Sequence, residues 1–216
     1  MLVKICGLRS ADEMLVAAEA GADMLGIVFV PRVRRRVEPP LAQAMVSRFR
    51  QERRGKPVPR IVGVFADQPL EEVQGVVREV RLDMVQLCGH EEIPYALKVG
   101  IPVVKAVHIH TSGHAQIEEA EHQITALEAA GILPLLDRDG GTQPGGLGQP
   151  FDWGIAQALA RRGHRFLLAG GLTPENVVEA VRLVRPYGVD VSSGVESNGV
   201  KNPAKVLAFI TAARRA

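Results

Sequence analysis

The sequence predicts an α/β fold, a single (β/α)8 (TIM) barrel occupying residues 1–216, and three observations predict it. Eight short apolar runs recur along 216 residues, most of them separated by stretches with helical periodicity. Aromatic residues make up only 4% of the chain while Val, Leu, Ala and Ile dominate, which suits parallel strands covered on both faces. The last two runs each close on glycine or small residues, and the loops after the last two strands of such a barrel are a frequent phosphate site. A chain of this length can bury one core well, and nothing in it marks a second domain.

The strands are expected near Leu2–Cys6, Met24–Phe29, Arg60–Phe65, Met84–Leu87, Val103–Val107, Ile132–Leu136, Phe166–Ala169 and Gly188–Ser192. Ser10 and Glu13 form a capping box that opens a helix ending at Gly21. Further helices are expected over Pro69–Val80, Ile93–Val99, Ile117–Ala130, Trp153–Arg162, Pro174–Val184 and Pro203–Arg214. Thr173 caps the sixth of these seven, with Pro174 in the first turn, where a missing N–H costs nothing. A doubly wound open sheet is the rival architecture. It would usually carry a glycine-rich dinucleotide turn after its first strand, and Cys6-Gly7-Leu8-Arg9 is not that pattern.

A net charge of +2 implies no general attraction to nucleic acid or to a membrane surface. No apolar run is long enough to span a bilayer and no leader pattern opens the sequence. The expected location is therefore the cytoplasm, with Cys6 and Cys88 both reduced. The dense basic cluster Arg32-Val33-Arg34-Arg35-Arg36 has no interleaved aromatics, so a carboxylate or phosphate on a small ligand is a better target for it than nucleic acid. The remaining arginines of the cluster are expected in solvent. His108, His110 and His114, like Cys88 and His90, lack a companion ligand set at a persuasive spacing, and no metal is expected.

Alternation along the first strand sorts its side chains. If Val3 and Ile5 face the helices, Lys4 and Cys6 point into the barrel, with Cys6 at the C-terminal rim where such folds carry their chemistry. A buried lysine is costly without a partner, so Lys4 should lie near a carboxylate or the ligand. Leu133, Leu135 and Asp137 share a parity on the sixth strand, which puts Asp137 on the same rim. The loop from Gly140 to Gly148 is glycine-rich enough to serve as a lid. Gly170, Gly171 and Gly194 hold no side chain between backbone and ligand, so their N–H groups can converge on an anion.

Taken in order, Lys4-Ile5-Cys6-Gly7, Gly26-Ile27-Val28-Phe29, Val85-Gln86-Leu87, Leu135-Leu136-Asp137, Phe151-Asp152-Trp153, Gly170-Gly171-Leu172-Thr173-Pro174-Glu175-Asn176-Val177 and Asp190-Val191-Ser192-Ser193-Gly194-Val195-Glu196 closely resemble the phosphoribosylanthranilate isomerase family over essentially the whole chain. The resemblance implies a (β/α)8 barrel, no cofactor, a monomer or homodimer, and an Amadori rearrangement in tryptophan biosynthesis. It also implies that Cys6 is the general base and Asp137 the general acid, that Arg35 pairs with the substrate carboxylate, and that Asp190 lies near the anthranilate amine. Backbone at Gly170-Gly171 and Ser193-Gly194 would hold the phosphate. Lys4 is expected to favour the thiolate of Cys6. The chain departs from the family pattern at Val33, where serine is common, at Cys88, where histidine is usual, and at Leu147, where threonine or serine is usual. The alternatives are another cofactor-free phosphosugar isomerase and a non-catalytic barrel that binds a phosphorylated ligand.

Overall fold

The computed structural model describes residues 1–109, 114–138 and 153–216. The expected lid, Phe151-Asp152, His110 and Leu147 lie outside the described residues. Strands β1 (Leu2–Ile5), β2 (Met24–Val28), β3 (Arg60–Phe65), β4 (Met84–Leu87), β5 (Val103–Ile109), β6 (Leu133–Arg138), β7 (Leu167–Leu168) and β8 (Gly188–Val191) pair in sequence order into a closed parallel barrel. Helices α1 (Ala11–Glu19), α2 (Pro39–Glu52), α3 (Leu70–Val80), α4 (Ile93–Lys98), α5 (His114–Ala129), α6 (Trp153–Arg161), α7 (Val177–Val184) and α8 (Pro203–Arg215) follow successive strands. Closure removes the edges that an open sheet would expose. It is completed by β1 against β8, with Lys4 opposite Asp190. Among the described residues no helix is long and apolar enough to cross a membrane.

The alternation expected of β1 is present throughout the barrel. Val3, Ile5, Leu25, Ile27, Val85 and Val189 belong to the large layer between strands and helices. Met24, Val62, Met84, Val104, Ala106, Leu135 and Leu167 form a separate cluster inside the ring. Above it, toward the C-terminal ends of the strands, Cys6, Val28 and Val64 make a smaller cluster with Cys88 packed against it. The lower interior is thus filled largely with apolar side chains, with Arg60 at the start of β3 reaching Met84 Sδ.

Three local readings differ from the sequence expectations. The helix α2 is not among the seven expected, although Ala42, Met45, Val46 and Phe49 are buried at helical spacing and Pro39-Pro40 occupies its first positions, where proline is tolerated. At α1, Ser10 Oγ accepts from Glu13 N at 3.1 Å, while Glu13 reaches back to Arg9 N at 2.6 Å, one residue earlier than in a standard capping box. Thr173 Oγ1 does accept from Glu175 N, but a turn intervenes and regular α7 begins at Val177.

Candidate active site

The centre of the barrel mouth is built by β1, β2 and β8. Lys4 is fully buried and its Nζ donates to Asp190 Oδ1 at 2.9 Å. Burial alone would lower the Lys4 ammonium, but Asp190, with a contribution from Cys6, more than offsets this and its pKa is raised. Lys4 is therefore an ammonium paired with a carboxylate, as a buried lysine requires. Cys6 follows directly on β1, anchored by its N–H to Val191 O at 2.8 Å. Space for both side chains comes from β2: a Cβ on Gly26 would lie 2.9 Å from Cys6 Sγ and 3.2 Å from Lys4 Nζ.

The sequence expects Lys4 to turn Cys6 toward thiolate, and the balance goes the other way. Burial raises the thiol pKa, Lys4 opposes it, and Asp190 adds to the rise. Lys4 does favour the thiolate, and by more than Asp190 opposes it, but burial of the thiol outweighs it.

Asp137 lies near the C-terminal end of β6, half-buried and in register with His108 of β5. It continues the inward alternation of Leu133 and Leu135. Burial pushes the Cys88 thiol up to about 12, with Cys6 and Asp137 adding to the rise against Gln86 and Lys4, so these groups share one electrostatic neighbourhood. Two acceptors in it stand out. Gln86 Nε2 donates to Cys88 Sγ and His108 Nε2 meets Cys88 O at 3.0 Å, leaving Gln86 Oε1 and His108 Nδ1 buried with no hydrogen-bond partner among the described residues. Buried acceptors in this state ordinarily signal a missing donor. Among the described residues no group of three or more His, Cys, Asp or Glu side chains could hold a metal ion.

Arg35 reaches the mouth because the loop after β2 doubles back. Val37 N donates to Val28 O at 2.8 Å and Arg36 bridges Val28, pinning the segment to the end of β2. Arg35 then passes over Gly7, a left-handed position (φ 77°) where a Cβ would strike the Arg35 Cδ and approach Ser192 Oγ. Its guanidinium meets Glu196 side-on, Nε to Oε1 at 2.7 Å and Nη2 to Oε2 at 3.0 Å. Arg34, expected in solvent and 55% exposed, also donates to Glu196 at 2.7 Å, and Lys201 Nζ joins at 2.9 Å. Partial burial opposes ionisation of Glu196, but these cations prevail and hold its pKa at about 2.

The two glycine turns meet on the β7–β8 side. Gly170 and Gly171 adopt positive φ of 85° and 75°, which glycine reaches without steric cost. A Cβ on Gly194 would run into the Leu172 carbonyl, so the Ser193–Val195 3₁₀ turn lies directly against the Gly171-Leu172 segment. Gly171 and Ser193 are exposed, and Gly170 and Gly194 half-buried.

The sequence matches a known family almost from end to end. Residues 3–212 match the model of N-(5'-phosphoribosyl)anthranilate (PRA) isomerase. The chain belongs to the PRA isomerase family. It is 44% identical over 218 residues to the N-(5'-phosphoribosyl)anthranilate isomerase of Roseiflexus castenholzii, covering all of this chain and 99% of that one. Among solved structures, the phosphoribosyl anthranilate isomerase of Thermotoga maritima superposes with a TM-score of 0.84 at 34% identity, with full coverage of both chains. A phosphoribosyl anthranilate isomerase solved in complex with reduced 1-(o-carboxyphenylamino)-1-deoxyribulose 5-phosphate gives 0.80 at 33% identity, again over both whole chains. The protein is thus an isomerase of the PRA isomerase family.

Relative to that family assignment, sequence reasoning overlooked Glu196 as a functional candidate and set His108 aside with the metal question. Glu196 ends the quoted Ser-Ser-Gly-Val-Glu motif, so its position beside the Ser193–Val195 turn was a usable signal. His108 could have been found by extending the inward parity of Val104 and Ala106 one step, since β5 runs two residues past the expected Val107.

Proposed function

We propose that the protein converts N-(5-phosphoribosyl)anthranilate to 1-(2-carboxyphenylamino)-1-deoxyribulose 5-phosphate by an Amadori rearrangement, in the cytoplasm and as a step of tryptophan biosynthesis. The observation that carries this reading is a buried thiol beside a Lys4–Asp190 pair at the barrel mouth. An arginine cluster flanks it on one side and paired glycine turns on the other. A substrate with a carboxylate at one end, a phosphate at the other and an aminoaldose between them fits such a row of groups.

In this reading Asp137, protonated, delivers its proton to the furanose oxygen. The C1′–O bond breaks as the anthranilate nitrogen pair forms the Schiff base. The resulting iminium acidifies C2′–H, and the Cys6 thiolate removes that proton to give the enaminol. Ketonisation then adds a proton at C1′ and removes one from the C2′ hydroxyl, so the isomerisation is proton-neutral overall. Asp190 would accept a hydrogen bond from the anthranilate N–H, and Arg35 would hold the carboxylate through charge-assisted bonds. Backbone at Gly170-Gly171 and Ser193-Gly194 would hold the phosphate.

Lys4 and Asp190 also bear on when Cys6 ionises. Burial and, less strongly, Asp190 favour the thiol. A ligand N–H that draws on the Asp190 carboxylate weakens the Asp190 effect and leaves the Lys4 charge to favour the thiolate, so the base becomes competent as substrate arrives.

The test is to generate N-(5-phosphoribosyl)anthranilate in situ and follow its disappearance with wild type, Cys6→Ser and Asp137→Asn. Wild type should consume it, and each variant should lose at least about a hundredfold in rate, the low end for a lost acid or base. Full turnover by either variant removes that residue from the mechanism, and inactive wild type favours the non-catalytic barrel.

A further inference from the structure

Glu196 receives more cations than any surface carboxylate needs. Its side chain is only 7% exposed, yet Arg34, Arg35 and Lys201 all bond to it. Lys205 Nζ additionally donates to its backbone carbonyl at 2.9 Å. The residue sits where two pieces of the mouth join. It directly follows the Ser193–Val195 turn and opens a short antiparallel hairpin, β9 (Glu196–Ser197) with β10 (Val200–Lys201), whose register sets Lys201 opposite Glu196. Lys201 Nζ also donates to Ser192 O at 2.9 Å, so the same ammonium ties the hairpin to the turn.

The edge of Arg35 that Glu196 uses is informative. A guanidinium has two ways to meet a carboxylate bidentately: side-on through Nε and one Nη, or end-on through both Nη groups. Glu196 occupies the side-on edge with Nε and Nη2. The end-on edge, Nη1 with the remaining Nη2 hydrogen, is the one open to a second planar anion. The Arg35 side chain as a whole retains 22% exposure.

We propose that Glu196 is a positioning residue that holds the Arg35 guanidinium by its side-on edge and thereby presents the end-on edge to the substrate carboxylate. This rests on the reading of Arg35 given under the proposed function. Because Glu196 is covalently continuous with the 193–194 turn, it also fixes the spacing between the carboxylate and phosphate ends of the site. Arg34, Lys201 and the Lys205 link keep the carboxylate from following Arg35 into solvent.

Glu196→Gln keeps the shape and one acceptor but removes the charge that orients the guanidinium. The Michaelis constant for the phosphoribosyl substrate should rise about tenfold, the effect of weakening one charge-assisted bidentate pair, with kcat changed much less. Inhibition by inorganic phosphate, which reads the turn and not Arg35, should stay within about threefold of wild type. A purely structural role would weaken both, and a Glu196 that merely competes with substrate for Arg35 would leave the Michaelis constant equal or lower; either result overturns the proposal. Arg35→Ala separates the two levels of inference. If it leaves the Michaelis constant unchanged, the reading of Arg35 fails; if it raises the constant while Glu196→Gln does not, only the positioning role fails. Should Glu196→Gln not fold, Glu196→Asp, which withdraws the carboxylate by one methylene, is expected to give the same rise, and an unaltered constant there also refutes the role.

Discussion

Asp190→Asn isolates the physical role of the pair at the heart of the barrel. The substitution keeps size and hydrogen-bonding capacity but leaves the Lys4 ammonium, with no exposed surface, facing a neutral amide. Removing one partner of a buried ion pair typically costs about 3–5 kcal/mol, because the remaining charge is uncompensated. For 216 residues an unfolding entropy of roughly 2.1 cal/mol/K per residue gives roughly 0.45 kcal/mol/K, so the melting temperature should fall by about 7–11 °C.

The pH dependence carries a second signature. In wild type the Lys4 pKa is raised in the fold, so its contribution is complete below the unfolded value near 10.5 and is lost as pH rises through the folded value. In Asp190→Asn burial is opposed only by the weaker Cys6 interaction, and the folded pKa should drop below the unfolded one. The variant should therefore recover stability as pH rises toward 10, where the amine can be neutral. Thermal or urea unfolding between pH 6 and 10 reads both effects. The double variant Lys4→Met/Asp190→Leu should regain most of the stability, since an apolar replacement of a buried pair is often neutral or better, while remaining inactive. An Asp190→Asn protein within about 1 kcal/mol of wild type, or a double variant less stable than that single one, refutes the reasoning, because neither fits a pair whose broken half is what costs stability.

Gly26→Ala should lower kcat by about 10- to 100-fold, since its Cβ displaces the thiol and the ammonium by a fraction of an ångström and such misplacement is expensive in rate. Steady-state kinetics beside a melting curve check it, and an unchanged kcat would mean that Cys6 and Lys4 have room to spare. In the unliganded protein the alkylation rate of Cys6 by iodoacetamide should keep climbing with pH beyond the ordinary thiol midpoint of ~8.5. Cys88, held up to about 12 by its burial, stays silent over the same range, and a Cys6 rate that levels off near neutrality would contradict the raised thiol.

The central architecture was legible because barrel geometry couples sequence parity to direction. Once Val3 and Ile5 are assigned to the helical side, Lys4 and Cys6 have nowhere else to point, and a buried ammonium demands a carboxylate; the register of β1 on β8 supplies Asp190. The same rule carries Asp137 to the inward side of β6. The rest depends on interactions that no local pattern encodes. Glu196 and Arg35 are 161 positions apart, and they meet because barrel closure sets the loop after β2 beside the segment after β8. The α2 helix was obscured by its own charged residues and opening prolines, although the buried spacing of Ala42, Met45, Val46 and Phe49 is a readable stripe. Lys4 favours the thiolate of Cys6 as expected, but the net preference is for the thiol because sequence adjacency shows the lysine and not the burial that outweighs it.

Charge at the mouth suits a nearly neutral chain to the proposed substrate, which carries both a carboxylate and a phosphate. A net charge of +2 over the whole molecule offers little long-range steering. Locally, Lys4 and Asp190 balance each other, whereas Arg34, Arg35 and Lys201 share one carboxylate, Glu196, and leave two positive charges in excess. Attraction is therefore concentrated at the carboxylate end of the proposed site, and backbone dipoles serve the phosphate end. The Lys4–Asp190 pair adds no net charge in the middle, where the proposed mechanism removes a proton from carbon. In the proposed mechanism a ligand N–H that draws on the Asp190 carboxylate would lower the Cys6 thiol pKa, working with Lys4 against the larger effect of burial. On the proposed function, the Lys4–Asp190 pair would thereby couple the reactivity of Cys6 to substrate binding.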